Sequence, residues 1–178
     1  MEPALATSNL TCRYGRTEAV RDLTLEVTPG TIFAFLGPNG AGKTTTIRTL
    51  INIVRPSSGR ATVLGVDSTR IGPADLAAIG YVSENQQMPP WMTVEELLAY
   101  CRPFYPSWDV SLCRKLVADF DLPLGAKIGR LSRGMRIKAA LVSALAYRPR
   151  LLILDEPFSG LDPVVRDDLV RGVLELAG

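Results

Sequence analysis

The chain has 178 residues, the size of one ordinary globular domain. With 47% hydrophobic and 21% charged residues it holds enough apolar material for a core, which excludes intrinsic disorder. Twenty Lys and Arg against eighteen Asp and Glu leave a charge of +2 with no basic run, so the electrostatic footprint of a nucleic-acid-binding protein is missing. The longest apolar stretches, such as Ala139–Tyr147, are shorter than the ~18–20 residues of a membrane-spanning helix. If the protein works at a membrane, a separate chain must cross it. No N-terminal segment joins basic residues to a long apolar run, which argues against secretion. Cys12, Cys101 and Cys113 are odd in number and irregularly spaced, the usage expected of reduced thiols in the cytosol. No histidine occurs, which removes the commonest general base and the commonest transition-metal ligand.

In chain order, Leu23–Val27 alternates apolar and polar as a half-buried strand does, and ends at Pro29-Gly30. Thr31–Leu36 (TIFAFL) is β-branched and aromatic, a strand running into a glycine-rich loop. Thr44–Ile53 reads as a helix, stopped by Pro56 and the turn Ser57-Ser58-Gly59. Arg60–Leu64 and Ala78–Val82 are further strand candidates. Between Gln86 and Tyr147 the pattern turns helical. Thr93 with Glu96 three residues on is a capping box opening a helix to about Cys101. Leu112, Leu116, Val117 and Phe120 form an apolar stripe, and Ser132 caps a helix carrying Leu141, Val142 and Leu145. Leu151–Leu154 (LLIL) is the continuous apolar run of a strand buried on both faces, and a last helix spans about Pro163–Leu176. The expectation is an α/β fold in one domain, residues 1–178, with a helical insertion at about 86–147 between two halves of a parallel sheet.

Gly37-Pro38-Asn39-Gly40-Ala41-Gly42-Lys43-Thr44 fits G-x-x-x-x-G-K-S/T, with a strand expected before it and a helix after. Glycines at 37, 40 and 42 let the backbone take φ > 0 and approach an anion closely. Loop N–H groups then form a nest, and the helix that follows adds its positive end. Lys43 supplies a point charge for the β- and γ-phosphates, and the Thr44 hydroxyl is a hard oxygen ligand for Mg²⁺. A plain glycine-rich turn preceding a lysine is the simpler alternative, but the strand–loop–helix context disfavours it.

LLIL ends in Asp155-Glu156. A carboxylate at the C-terminal tip of a parallel strand suits a second Mg²⁺ anchor, which assigns Asp155, directly or through water. Glu156, one residue on, points elsewhere and is the candidate general base for an attacking water. An acidic turn ending a strand would look the same in isolation.

Together these residues resemble the nucleotide-binding subunits of ATP-binding cassette (ABC) transporters, over about Leu10 to Gly178. The resemblance implies a P-loop NTPase of ABC ATPase type, with a parallel core sheet, a small antiparallel β subdomain and a helical insertion. It implies ATP and Mg²⁺ as ligands and a nucleotide-binding set extended to Thr45. Tyr14, in Arg13–Val20 (RYGRTEAV), matches the aromatic that stacks on adenine, unless it packs on the sheet. Leu131–Met135 (LSRGM) stands where the family carries LSGGQ: Ser132 and Gly134 remain as the residues that meet the partner subunit's ATP, while Arg133 and Met135 depart. Ser159-Gly160-Leu161-Asp162 resembles the D-loop, with Asp162 crossing the dimer interface. The implied assembly is a head-to-tail pair of such subunits, identical or not, sandwiching two nucleotides and driving a separate transmembrane permease. The implied location is cytoplasmic, peripheral on the cytoplasmic face of the membrane, with no nucleic-acid partner.

Two departures bear on function. The family's Q-loop glutamine aligns with Glu84, a carboxylate that ligates Mg²⁺ at least as well as an amide; Gln86 and Gln87 are fallback candidates. That exchange and LSRGM both suit a bacterial efflux branch, so an exporter is expected. The family also delivers a γ-phosphate-contacting histidine on a strand after the last helix here. The chain stops at Gly178 without one, so the last core strand is expected to be missing, leaving a gap of about two strand spacings (~4.8 Å each) beside LLIL. On this reading ATP binding survives better than hydrolysis. The alternative function is a truncated, hydrolysis-impaired ATP-binding module without transport activity.

Overall fold

The N-terminal strands β1 (Leu5–Tyr14) and β2 (Thr17–Val27) form an antiparallel hairpin, with Leu5 opposite Val27 and Tyr14 opposite Thr17. These are the first elements of a computed structural model that describes residues 2–84, 86–163, 166–167 and 169–171. It divides into two compact units, residues 1–76 and residues 77–178.

In the first unit the hairpin is joined by α1 (Lys43–Leu50), β3 (Ser58–Val63), β4 (Val66–Asp67) and the single turn α2 (Pro73–Leu76). The sheet order is β2-β1-β3-β4, all antiparallel. This is the small β subdomain the resemblance implies. Its bulges stack: Asn9 (φ 48°) and Asp22 (φ 49°) both lie in the left-handed region, and Asn9 Nδ2 donates to Asp22 Oδ1 at 2.6 Å. Leu10, Cys12, Val20, Ala61 and Val63 are buried in this unit, with Ile47, Leu50 and Ile51 from α1 and the residue beyond it.

One expected strand does not form. Residues 31–38 take no regular structure, and Ile32, Phe33 and Leu36 are 71%, 51% and 86% exposed. A run of β-branched and aromatic residues has the propensity for a strand, but a strand exists only as half of a hydrogen-bonded pair. Among the described residues none pairs with this segment.

The second unit holds β5 (Ile79–Ser83), α3 (Val94–Cys101), α4 (Val110–Asp119), α5 (Arg133–Leu145) and β6 (Leu151–Asp155). β5 and β6 pair in parallel, from Ile79 opposite Leu151 to Ser83 opposite Asp155. The capping box opening α3 is complete: the Thr93 hydroxyl accepts from the Glu96 amide at 3.1 Å, and Glu96 Oε2 accepts from the Thr93 amide at 2.8 Å. Val82, Val94, Leu97, Leu98, Leu116 and Leu141 anchor the core between the three helices and β5. Of the expected α4 stripe, Leu116 and Phe120 are buried while Leu112 and Val117 are half-buried beside them. Pro163, Arg166, Asp167 and Leu169–Arg171 are helical, and the rest of the expected last helix lies outside the described residues. The three cysteines are free, and no helix among the described residues is long and apolar enough to cross a membrane.

Candidate functional site

The glycine-rich loop belongs to the first unit. Gly42 caps α1 at φ 85° and Gly40 sits at φ 84°, so two of the three loop glycines take the left-handed conformation expected of them. They need glycine for different reasons. Around Gly40 there is open space, and conformation alone makes the demand. A Cβ on Gly42 would come within 2.1 Å of the Ala19 carbonyl oxygen, so close packing against β2 adds to it. Gly37 is not left-handed; a Cβ there would meet Ala41 Cβ at 3.2 Å, which corrects the expectation for that position to one of tight contact.

Beyond Gly42 the chain enters α1 with no acidic residue in the first turn, leaving the positive end of the helix uncompensated by its own side chains. Lys43 folds back so that Nζ donates to the Gly37 carbonyl at 2.7 Å and to the Pro38 carbonyl at 3.0 Å. The hydroxyls of Thr46 and Thr49 donate to carbonyls one turn earlier, of Gly42 and Thr45, which satisfies two buried polar groups. Tyr14 ends β1 with half of its surface exposed.

The second unit carries the acidic half. The register places Ser83 beside Asp155, and the Glu84 amide donates to the Asp155 carbonyl at 3.0 Å, so the chain leaves β5 and β6 side by side. Asp155 is 6% exposed, and Tyr81 Oη donates to its Oδ2 at 3.4 Å. Glu156 follows at φ 50° in the left-handed region, exposed, at the start of a turn that the Ser159 amide closes onto its carbonyl at 3.1 Å. Phe158 and Leu161 pack that turn onto the core, which sets Gly160 and the exposed Asp162 in place.

Ser132 caps α5 by accepting from the Met135 amide at 3.2 Å, and its side chain lies at the exposed end of the helix with Gly134 one turn-step on. The first turn of α5 contains no acidic residue and two arginines, the reverse of what a helix dipole favours. Arg133, noted in the sequence only as a departure, donates through Nη2 to Glu84 Oε1. Both line a cavity of about 190 Å³ with Gln86, Met88, Arg136 and Ile137. Elsewhere in the unit an apolar groove of about 700 Å³ runs between α3 and α4, past Leu98, Trp108, Cys113 and Val117.

The candidate Mg²⁺ ligands Thr44, Asp155 and Glu84 are all hard oxygen donors, the set Mg²⁺ prefers, and Asp155 is a buried carboxylate that a cation would stabilise. The donor set fits the ion. No cluster of three or more His, Cys, Asp or Glu suited to another metal occurs among the described residues.

A strand-rich unit with a glycine loop opening a helix, and a parallel pair ending in adjacent acidic residues, define a phosphate-loop nucleotide-binding protein. The family model described as "ABC transporter" matches residues 20–159, and the chain belongs to that family. It is 37% identical over 172 residues to the Nod factor export ATP-binding protein I of Paraburkholderia xenovorans (strain LB400), covering 93% of this chain and 56% of that protein. Bacitracin transport ATP-binding protein BcrA of Bacillus licheniformis is 33% identical over 179 residues, covering 99% of this chain and 58% of its own length. The chain thus spans little more than half the length of these relatives. The solved ATP-binding subunit of an ABC transporter superposes with TM-score 0.85 at 28% identity, over 98% of this chain and 75% of that one. An ATP-bound bacterial Atm1-family ABC exporter gives 0.84 at 26% identity, over 99% of this chain and 33% of that one.

Proposed function

We propose that the chain is an ATP-binding and ATP-hydrolysing cassette that powers a separate membrane-spanning permease from the cytoplasmic face. The observation that carries this reading is the loop at 37–42, where left-handed Gly40 and Gly42 deliver the chain into an α1 whose first turn holds Lys43 and Thr44. Backbone N–H groups of Gly37, Asn39, Gly40, Ala41 and Gly42 hold the phosphates, with Pro38, which has no N–H, shaping the loop and Thr45 behind it, and Tyr14 stacks on the base. Thr44 and Asp155 hold Mg²⁺, with Glu84 as a further oxygen donor. When bound, the ion neutralises charge on the β- and γ-phosphate oxygens.

Glu156 takes a proton from the attacking water. Its backbone is left-handed and the residue is exposed, whereas Asp155 is buried, so the two acids stand in different surroundings suited to different roles. Ser132 and Gly134 at the N-terminal end of α5 meet the nucleotide of a second subunit, and Asp162 faces that subunit, giving an ATP-dependent head-to-tail dimer. Export is the direction favoured, because Glu84 and LSRGM depart from the common pattern together.

The unpaired, exposed segment Thr31–Leu36 leading into the loop favours a second reading, in which the module binds ATP but turns it over poorly. One experiment separates them: titration calorimetry with Mg-ATP together with steady-state phosphate release, using Glu156→Gln as control. Binding with release that Glu156→Gln abolishes supports the ATPase. Binding with release equal to that of Glu156→Gln supports the second reading, and no binding sinks both.

A further inference from the structure

Glu84 and Arg133, two positions at which the chain departs from the family's usual pattern, are bonded to each other. The guanidinium of Arg133 forms an ion pair with Glu84 and lies on its other side against Gly160, where a Cβ would stand 3.1 Å from Nη1 and 3.4 Å from Cζ. Gly160 has φ 66°, so glycine at this position provides both the turn and the room for the arginine. Through the Glu84 amide the contact reaches the Asp155 carbonyl. One side chain therefore joins the loop after β5, the first residue of α5 and the turn after β6.

That arginine does nothing for its own helix. A cation in the first turn opposes the helix dipole, and no acidic neighbour in that turn offsets it. The compensation comes from 49 residues away, through Glu84. A planar fork matches a carboxylate and here meets on its other side a residue with no side chain, a reach that a lysine's single ammonium would not reproduce. A glutamine at 84 would weaken the pair to a neutral acceptor, and a glycine at 133 would remove it. The two departures thus compensate each other.

We propose that Arg133 is a positioning residue that clasps Glu84 and Gly160. It fixes Ser132 and Gly134, at the open end of α5, relative to the acidic ends of β5 and β6. The proposal rests on the reading of Ser132 and Gly134 as contacts to a second subunit's ATP. It adds that Glu84 acts on the signature end of the helix as well as on any metal.

The test uses the full chain in two arms. Hydrogen exchange on nucleotide-free protein compares wild type with Arg133→Ala, Glu84→Gln and the charge-reversed pair Glu84→Arg/Arg133→Glu. Each single change is expected to speed exchange at residues 133–136 and 158–161 by about 1.5-fold to fivefold, the range for partly exposed ion pairs, and leave α3 unchanged. The reversed pair is expected to recover at least half of that protection. In the second arm Arg133→Ala raises the ATP concentration for half-maximal phosphate release several-fold more than it lowers kcat, and Arg133→Lys recovers only part of it. Unchanged exchange in Arg133→Ala, or a reversed pair no better than either single change, overturns the clasp. Faster exchange with unaltered ATP dependence overturns the positioning role. Wild-type protein that binds no Mg-ATP in calorimetry is a separate result: it sinks the nucleotide reading and the positioning role with it, while the exchange arm still reads the clasp itself.

Discussion

Lys43 closes its own loop by donating to the carbonyl of Gly37 at 2.7 Å, with Pro38 accepting from the same ammonium at 3.0 Å. The loop is thereby held in shape by the cation that phosphate oxygens would engage. Replacing Lys43 by Ala removes both roles, and Mg-ATP binding is expected to weaken at least ~10-fold, ~1.4 kcal/mol. Lys43→Arg is expected to restore little, because a planar fork does not fit where a compact ammonium reaches two carbonyls. Titration calorimetry on variants with unchanged circular dichroism checks this. Equal affinity in wild type and Lys43→Ala would remove the cradle from the functional reading.

The two left-handed loop glycines make unequal demands, which gives an ordering to test. Gly40→Ala meets open space and carries only backbone strain, so about 1–2 kcal/mol of stability is expected to be lost. Gly42→Ala drives a Cβ to 2.1 Å from a backbone oxygen that cannot swing away. It is expected to lose more stability than Gly40→Ala, over ~2 kcal/mol, and to abolish nucleotide binding as the loop shifts. Thermal melts of the two variants decide it; an inverted order would show that the loop does not pack on Ala19 as described.

What was legible in the sequence was local. The Thr93–Glu96 box and the Ser132 cap are short-range hydrogen bonds between neighbours, so spacing alone revealed them. β1 escaped because its bulge at Asn9 breaks the alternation that marks a strand: register shifts fall between Thr7 and Leu10 and again at Cys12. Thr31–Leu36 differs for the opposite reason: its composition is that of a strand, but pairing is a property of the neighbours. The candidate site residues rest on residue type and spacing, which say nothing of the Arg133–Glu84 bond. Nothing local to either residue announces a partner that the fold brings from 49 positions away.

Tyr147 is buried, stacks on Tyr105 with ring centroids 3.8 Å apart, and donates to the Ile79 carbonyl at 2.9 Å, tying the end of α5 to the start of β5. Tyr147→Phe keeps the stack and leaves that carbonyl without its hydroxyl donor. The expected loss is about 1–2 kcal/mol, or a Tm lower by about 3–6 °C. Burial, with the Tyr105 hydroxyl beside it, pushes the Tyr147 pKa above the ordinary 10.0. The proton is therefore held more tightly in the folded state, and the stability this contributes is present below about pH 10 and falls as pH rises past it. Melts of wild type and Tyr147→Phe at pH 8 and pH 11 should show the gap narrowing; a constant gap would contradict the linkage.

Asp109 supplies the acid-side counterpart. Its Oδ1 accepts from the Leu112 amide at 2.9 Å to cap α4, and Arg148 donates to Oδ2 through Nε at 2.9 Å and Nη2 at 2.8 Å. The Leu112 amide first, and then Arg148, hold this carboxyl below its ordinary value of 3.8. A depressed folded-state pKa means stability that is present above about pH 4 and lost as pH falls through the lower folded value. Asn caps a helix nearly as well as Asp but carries no charge for Arg148. Asp109→Asn is therefore expected to melt below wild type at pH 7, with the difference shrinking steadily from pH 4 downward. Asp109→Ala loses the cap as well and should stay below both proteins throughout. A difference between wild type and Asp109→Asn that persists undiminished at pH 2.5 would mean that the Arg148 contact does not stabilise the charged form.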